Sequence, residues 1–101
     1  MKPWLAQYDD DVPASLAPYP DRTLVDYLTT LATDHGDKTA LLFKGRAVSY
    51  GELDAASTAF AAALSSLGIR KGDRVALLLP NCPQFLIAEV GTWKIGAVVV
   101  A

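Results

Sequence analysis

Two short runs of apolar residues, separated by a helical stretch, constrain the fold of this chain most strongly. Val75–Leu79 contains no polar residue, and Ala97–Val100 repeats the pattern. A strand without polar alternation is typical of a parallel sheet that is covered on both faces. Because parallel strands need a crossover of a dozen or more residues, the stretch between the runs predicts a helix, and the whole predicts a βαβ unit. The fold class is therefore α/β.

The two ends of the crossover helix carry recognisable signals. Asn81 is a suitable N-cap, Pro83 fits the first helical turn, and Gln84 stands where a capping box has Glu or Gln. Gly96 is expected to end the helix, since glycine tolerates the left-handed conformation that follows many helices. Five residues trace the length of this helix: Phe85, Ala88, Glu89, Thr92 and Trp93.

Two more helices and a hairpin are predicted upstream. The first helix begins after Thr23, which can cap it, and stops at Gly36. Two apolar runs around Gly45 predict a β-hairpin, because glycine supplies the backbone freedom of a tight turn. Ser49 and Glu52 form the pattern of a capping box, which predicts a second, alanine-rich helix. The expected core faces are Leu24, Tyr27, Leu28, Leu31 and Ala32 in the first helix and Leu53, Ala56, Phe60, Ala63, Leu64 and Leu67 in the second.

Residues 1–21 form a predicted arm that precedes the domain of residues 22–101. Four of the six prolines lie in this arm, and proline blocks helix continuation, so the arm is expected to be extended. It also carries Trp4, Tyr8 and Tyr19, which favours packing along the rest of a parent protein. A homodimer contact and a peripheral membrane contact are the two other interpretations. The acidic triple at residues 9–11 is interpreted as a solvated turn rather than a metal site.

Composition excludes several classes of protein. Of the 101 residues, 51% are hydrophobic and 20% are charged, which is typical of a globular domain. The formal net charge of -2 shows none of the basic excess that is typical of nucleic-acid binding. Cys82 is the single cysteine, so no disulfide can form within the chain. Without a signal peptide or an apolar span of about 20 residues, the chain is expected to be soluble and cytoplasmic.

Few residues have the type and the spacing that catalysis requires. His35 is expected in the last turn of the first helix, where a cation interacts favourably with the helix dipole. Cys82 stands at a helix start, which can activate a thiol, but no histidine lies near it in the sequence, so we interpret it as a corner residue. Arg70, Lys71 and Arg74 are interpreted as a solvated turn rather than a phosphate patch. We expect no catalytic, cofactor-binding or metal-ligating residue within this chain.

The final segment, Gly91–Ala101, stops within what reads as a buried strand. Burying one valine side chain contributes about 1.5–3 kcal/mol, against a total stability of about 5–15 kcal/mol for a domain. An uncovered run of valines would also expose an edge that favours aggregation. We therefore expect a truncated chain, with further strands and helices downstream in a larger parent domain.

Several segments, in this order, resemble the N-terminal portion of AMP-forming acyl-CoA synthetases, and most of all the long- and medium-chain fatty-acid–CoA ligases. These segments are TALLF with VSYGEL, then LGIRKGDRVALLLPNCPQF, then KIGAVVV. The opening KPWLAQYDDDVPASL is similar to the arm of bacterial fatty-acyl ligases. The resemblance covers nearly the whole chain and implies the front part of a large adenylate-forming domain.

The reaction that this resemblance implies has two steps. ATP and a fatty acid give an acyl-adenylate and pyrophosphate, and coenzyme A then displaces AMP. The parent is expected to bind ATP, Mg²⁺, fatty acid and coenzyme A through residues that in the family lie beyond this segment. The glycines here are scattered singly and make no phosphate-binding loop. The segment is thus expected to be inactive by itself, with the rest of its own domain as its partner.

Three other interpretations stay open at the level of the sequence. The parent could adenylate an aryl acid or an amino acid in place of a fatty acid. The chain could be a stand-alone, non-catalytic binding module. It could also be a small nucleotide-binding domain that holds phosphate at the LLLPNCPQ turn, although this turn lacks the glycine spacing of the common phosphate loops.

Overall fold

A computed structural model describes all 101 residues and has the predicted α/β architecture. Three α-helices and four short strands follow a short 3-10 helix, Pro3–Gln7. None of the helices is both long enough and apolar enough to span a bilayer. The helices are α1 (Leu24–Asp34), α2 (Tyr50–Ser66) and α3 (Pro83–Lys94), and the strands are β1 (Thr39–Phe43), β2 (Arg46–Ser49), β3 (Arg74–Ala76) and β4 (Val98–Val100).

The predicted hairpin is formed by β1 and β2. The two strands pair antiparallel with Phe43 opposite Arg46, so two residues make the turn. The two turn residues, Lys44 and Gly45, both have positive φ angles, 49° and 78°. Two successive positive φ angles are typical of the type I′ turn, whose twist matches that of the paired strands. Glycine adopts this conformation freely, whereas a lysine holds it at a steric cost.

The predicted βαβ unit is also present, with β3 and β4 parallel and α3 between them. Both strands are shorter than expected, although the backbone N–H of Leu77 still donates to the carbonyl oxygen of Val100 at 2.8 Å. The prediction that the first run is buried on both faces is wrong. Leu78 is 93% exposed, because this sheet has two strands and leaves the residues after β3 without a neighbouring strand.

Helices α1 and α2 both begin with a complete capping box. At α2, the Ser49 hydroxyl oxygen accepts from the Glu52 N–H at 3.1 Å, and the Glu52 carboxylate accepts from the Ser49 N–H at 2.8 Å. At α1, Thr23 and Asp26 make the same reciprocal pair at 3.2 and 2.8 Å. Each box satisfies backbone amides that a helix start leaves without partners. The sequence predicted the box at α2 and only the threonine cap at α1.

Helix α3 begins differently from the prediction. Its first residue is Pro83, so the N-cap position falls on Cys82 and not on Asn81. Cys82 makes no side-chain hydrogen bond to the first turn, and the capping box expected at Gln84 does not form. Proline at this position fits well, because it has no N–H to leave unsatisfied. Helix α3 ends as predicted, with Gly96 at a φ of 74° directly after the C-cap.

The core lies where α2 packs against α3. A Cβ atom added to Gly91 of α3 would lie 2.8 Å from the carbonyl oxygen of Ser57, so the two backbones approach closely. Ser57 itself is fully buried, and its hydroxyl donates to the carbonyl oxygen of Asp54 at 3.0 Å. The predicted core face of α2 is partly wrong, since Leu67 is 79% exposed and Ala63 is exposed as well. The buried residues of this helix are Leu53, Ser57, Ala61 and Leu64.

Helix α1 packs less deeply and has no fully buried residue. Two members of its predicted core face point outward, Leu24 at 63% and Tyr27 at 38% exposure. The Tyr27 ring instead lies beneath the guanidinium of Arg22, 4.3 Å from the ring centroid. The half-buried side of this helix consists of Val25, Leu28, Leu31 and Ala32.

Gly36 does not end α1 by adopting a left-handed conformation. The helix ends at Asp34 with His35 at the C-cap. The Gly36 carbonyl oxygen instead accepts a hydrogen bond from the N–H of Gly51 at 2.9 Å. A Cβ atom on Gly51 would lie 3.0 Å from that oxygen, so this glycine pair lets α1 end close to the start of α2.

The arm, residues 1–21, contains one element that the prediction of an extended chain missed. This element is the 3-10 helix, which has a proline in its first turn. No residue of the arm is buried. Trp4 is 54% exposed and Tyr19 is 71% exposed, so residues 22–101 leave the aromatic surface of the arm largely uncovered. Packing of the arm against another part of a parent protein stays a prediction.

Candidate functional site

The hairpin turn and the start of α3 enclose a cavity of about 370 Å³, which we call the turn cleft. Lys44, within the type I′ turn, and Arg46, directly after the turn, both line this cavity. The first turn of α3 forms the opposite wall. The lining residues are Phe43, Lys44, Arg46, Val48, Pro83, Gln84 and Ile87.

The charge of the turn cleft is uncompensated. The single ion pair of the chain joins Lys94 to Asp54, so neither Lys44 nor Arg46 has a carboxylate partner. Lys44 places its ammonium 5.4 Å from the centroid of the Phe43 ring, over an apolar surface. Cations held beside aromatic and aliphatic groups suit an anion that also has an apolar part.

A second cavity of about 380 Å³ adjoins the turn cleft, and we call it the leucine groove. Gln84 and Ile87 line both cavities, so the two lie next to each other along α3. Seven of the eight residues of the groove are hydrophobic. Its lining residues are Phe60, Ala76, Leu77, Leu78, Leu79, Gln84, Ile87 and Ala88.

The residues that the sequence singled out for chemistry stand on different elements of the fold. His35 is exposed at the C-cap of α1, where its backbone N–H donates to the carbonyl oxygen of Leu31 at 2.8 Å. Cys82 is half-buried at the N-cap of α3 and lines a smaller cavity of about 230 Å³. No three His, Cys, Asp or Glu side chains lie close enough together to hold a metal ion.

The basic residues before β3 lie in a tight turn. The backbone N–H of Arg70 donates to the carboxylate of Asp73 at 2.8 Å, and the backbone N–H of Gly72 donates to the carbonyl oxygen of Gly96 at 2.9 Å. Arg70, Lys71 and Arg74 are all exposed. This is the solvated turn that the sequence predicted.

Two polar arrangements escaped the sequence analysis. Lys94 is 13% exposed and donates to the Asp54 carboxylate at 2.7 Å, to the Asp54 carbonyl oxygen at 3.1 Å and to the Thr58 hydroxyl at 2.8 Å. This side chain joins α3 to α2. In the sequence, only the position of Lys94 in the last turn of a helix could have drawn attention to it. Its partners could not be found in this way, because they lie 36 and 40 residues away in the chain.

The second arrangement is electrostatic and lies at the start of α1. The pKa of Asp26 is lowered, first because its carboxylate accepts the backbone N–H of Thr23. The Thr23 hydroxyl and the charge of Arg22 act in the same direction. A hydrogen bond to the ionised form of a carboxyl group favours that form. The consequence is structural, because this carboxylate anchors the capping box.

Comparison with protein families matches residues 28–101 to a family described as AMP-binding enzyme. The chain belongs to the AMP-binding enzymes. The family resemblance inferred from the sequence is thereby confirmed, and the α/β fold agrees with it. The match also begins within α1, so it includes both the turn cleft and the leucine groove.

Two curated relatives of this AMP-binding chain differ in how much of it they match. The long-chain-fatty-acid–CoA ligase of Bacillus subtilis strain 168 is 43% identical over 100 residues, which are 99% of this chain and 18% of the relative. The crotonobetaine/carnitine–CoA ligase of Salmonella paratyphi A strain ATCC 9150 / SARB42 is 49% identical over 75 residues, which are 69% of this chain and 14% of the relative. The chain thus spans less than a fifth of the length of these relatives.

A solved structure with the same fold supports the family assignment. The NpsA N-terminal subdomain of Klebsiella oxytoca, in complex with anthranilyl-AMSN, superposes on this AMP-binding chain with a TM-score of 0.78. The two are 32% identical, and the match covers 85% of this chain and 22% of that one. The α/β arrangement seen here is therefore that of an N-terminal subdomain of an adenylate-forming enzyme.

Proposed function

We propose that this chain is the N-terminal portion of a fatty-acid–CoA ligase. The parent enzyme joins ATP and a fatty acid into an acyl-adenylate and pyrophosphate, and coenzyme A then displaces AMP to give acyl-CoA. The observation that carries the proposal is the 43% identity to a long-chain-fatty-acid–CoA ligase over 99% of the chain. The relative named for crotonobetaine and carnitine matches a smaller share, 69%.

Within this proposal, the chain is part of the scaffold of the parent domain. Its glycines are scattered singly and offer no loop of backbone amides for phosphate. The proposal therefore assigns the binding of ATP, Mg²⁺ and coenzyme A to the rest of the parent, and assigns no catalytic step to this chain. It includes a cytoplasmic location, because ATP and coenzyme A are substrates that the cytoplasm supplies.

An adenylating enzyme for an aryl acid is the second candidate. The observation in its favour is the TM-score of 0.78 to the NpsA subdomain, which was solved with anthranilyl-AMSN. That likeness has 32% identity, below the 43% of the fatty-acid ligase relative. Acid choice depends on the pocket around the acid, so substrate turnover decides between the two candidates.

The arm has a separate place in the proposal. Its aromatic residues are exposed, and the long-chain ligase matches nearly the whole chain, so we propose that the arm packs on the parent body or on a second subunit. Deleting residues 1–11 from the full-length protein should lower its thermal unfolding midpoint or change its oligomeric state. If neither changes but the deletion abolishes sedimentation with phosphatidylcholine vesicles, the arm is a peripheral membrane contact instead.

Substrate turnover by the full-length protein tests the proposed reaction. AMP release is measured with ATP, Mg²⁺ and coenzyme A in the presence of palmitate, octanoate or anthranilate. We expect turnover with the fatty acids and none with anthranilate. Pyrophosphate exchange into ATP should persist without coenzyme A, because the first step needs only ATP and the acid. Turnover with anthranilate alone would overturn the fatty-acid assignment and favour the second candidate.

A further inference from the structure

We infer that Arg22 is a latch that fixes the direction in which the arm, residues 1–21, leaves the rest of the molecule. Arg22 directly precedes Thr23, the N-cap of α1, and its guanidinium group reaches forward onto that helix. The latch is a conformational device, separate from the proposed reaction because it involves no substrate. It also does not depend on which surface finally covers the arm.

Three contacts hold the guanidinium group on α1. Its Nη2 atom donates to the Thr30 hydroxyl oxygen at 2.6 Å and to the carbonyl oxygen of Asp26 at 3.1 Å. Its Cζ atom lies 4.3 Å from the centroid of the Tyr27 ring, which is within the range of a cation–π contact. The three partners are one to four positions apart, so they share one side of the helix. An arginine can make these contacts together, because its donors point outward from a flat face that can stack on a ring.

No other hydrogen bond ties the arm to residues 23–101. Each hydrogen bond of residues 1–21 has both of its partners within the arm, as in the pair of Ser15 and Tyr19. The Cα radius of gyration is 17.3 Å, against about 13 Å for a compact chain of this length, so the arm projects away from the helices. The direction of the arm therefore depends on the residues at its junction with α1.

The capping box at this junction does not set the direction by itself. It fixes the backbone of Thr23, at a φ of -87° and a ψ of 166°, but it makes no bond to Arg22. The contacts of Arg22 restrain that preceding residue, because they reach Thr30, eight positions along the chain. An arm that already points in one direction loses less conformational freedom when a further surface covers its aromatic side chains.

Chemical reactivity of the guanidinium group tests the three contacts. The full-length protein is treated with phenylglyoxal, and modification of Arg22 is followed by peptide mass spectrometry, with Arg46 and Arg70 as exposed references. Thr30→Ala and Tyr27→Leu each remove one partner. Each should raise the rate at Arg22 by about two- to fivefold, as expected for the loss of one exposed cation–π contact or a similar bond. The rates at the two references should stay the same.

Each of these variants has a matched control. Thr33→Ala changes a threonine whose hydroxyl also donates to a carbonyl oxygen four residues back, at 3.0 Å, but which makes no hydrogen bond to Arg22. Tyr27→Phe removes a hydroxyl and keeps the ring. Both controls should leave the rate at Arg22 unchanged. Equal rates at Arg22 in all four variants and in the unaltered protein would show that α1 does not hold the guanidinium group, and the inference would be wrong.

The distance between two spin labels measures the direction of the arm. One label is attached at Ala14→Cys in the arm and the other at Ala55→Cys, an exposed position of α2. Cys82 and any further cysteine of the full-length protein are replaced by serine. The labelled protein is diluted with unlabelled protein, so that double electron–electron resonance reads only distances within one subunit.

We expect one narrow distance distribution when the latch is intact. The double variant Tyr27→Leu/Thr30→Ala should shift or broaden this distribution, whereas the control Tyr27→Phe/Thr33→Ala should not. If Arg22 becomes reactive in the double variant and the distribution stays narrow, another surface sets the direction of the arm and the inference is overturned. A broad distribution in the unaltered protein would contradict it as well. Neither readout uses substrate turnover, so the proposed reaction stands or fails separately.

Discussion

The pair of helices α2 and α3 and the arm of residues 1–21 differ in how they use apolar residues. The helix pair buries small groups, Ser57, Ala61 and Gly91, where two backbones nearly touch. The arm carries large aromatic groups, and none of them is buried. Burial in this molecule therefore follows the fit between regular surfaces rather than the size of the apolar side chain.

The difference has a physical cause. A helix repeats its side-chain positions every three to four residues, so small residues at that spacing make a continuous seam for a second helix. The arm contains four prolines in 21 residues and has no such repeat. Its aromatic residues consequently have no complementary surface on residues 22–101. Any surface that covers them must come from elsewhere in the parent or from a partner.

The largest expected effect on stability is at the seam, the close contact between Gly91 of α3 and Ser57 of α2. Gly91→Leu in the full-length protein should lower the free energy of unfolding of this subdomain by about 3 kcal/mol, the upper end of the range for overpacking. The reason is that a Cβ alone would meet the Ser57 carbonyl oxygen at 2.8 Å and the Phe60 ring at 2.9 Å. Urea unfolding followed by circular dichroism measures the loss.

The matched control for this seam prediction is Ala55→Leu, at an exposed position of α2. It adds the same kind of side chain without a facing backbone, so the change should stay within about 0.5 kcal/mol. Equal effects of the two substitutions would contradict the close approach of α2 and α3.

The hydrogen bonds from Lys94 to Asp54 and Thr58, which we call the polar clamp, also join α2 to α3. They should contribute less to the free energy of unfolding than the close contact at Gly91. Lys94→Met keeps most of the apolar stem but removes the three hydrogen bonds to Asp54 and Thr58. We expect a loss of about 1–2 kcal/mol in the free energy of unfolding, as for hydrogen bonds that involve a charged group. Lys38→Met, at an exposed residue without such bonds, is the control. Indistinguishable unfolding curves for the two variants would rule the clamp out.

Local features of this fold were predictable from the sequence. The Ser49 and Glu52 capping box and the glycine of the hairpin turn depend on residues that lie within four positions of one another. The parallel pairing of β3 and β4 was predictable for a related reason, since a crossover helix of this length permits few other arrangements. Both kinds of feature need no knowledge of distant partners.

Features that depend on distant partners were mispredicted or missed. The alanine-rich α2 has a weak apolar pattern, so the sequence assigned Leu67 to the core when the seam instead follows the small residues facing Gly91. The turn cleft was missed because its two walls are distant in the sequence: Lys44 and Ile87 lie 43 positions apart. The one local signal was a turn with two cations between apolar strands, a pattern that by itself predicts only a turn.

The smallest expected effect lies at the junction between the arm and the helices. Because the pKa of Asp26 is lowered by the Thr23 N–H, its ionised form stabilises the start of α1. This contribution is present above the ordinary Asp pKa of about 3.9 and is lost as pH falls through the lower folded-state value. Titration of the Asp26 carboxyl carbon by NMR measures the shift. Thr23→Ala, which keeps the backbone donor but removes the hydroxyl, should move the pKa only part of the way back. An Asp26 that titrates at or above the ordinary value would show that the capping box does not form in solution, and the arm would then run into α1 without a fixed boundary.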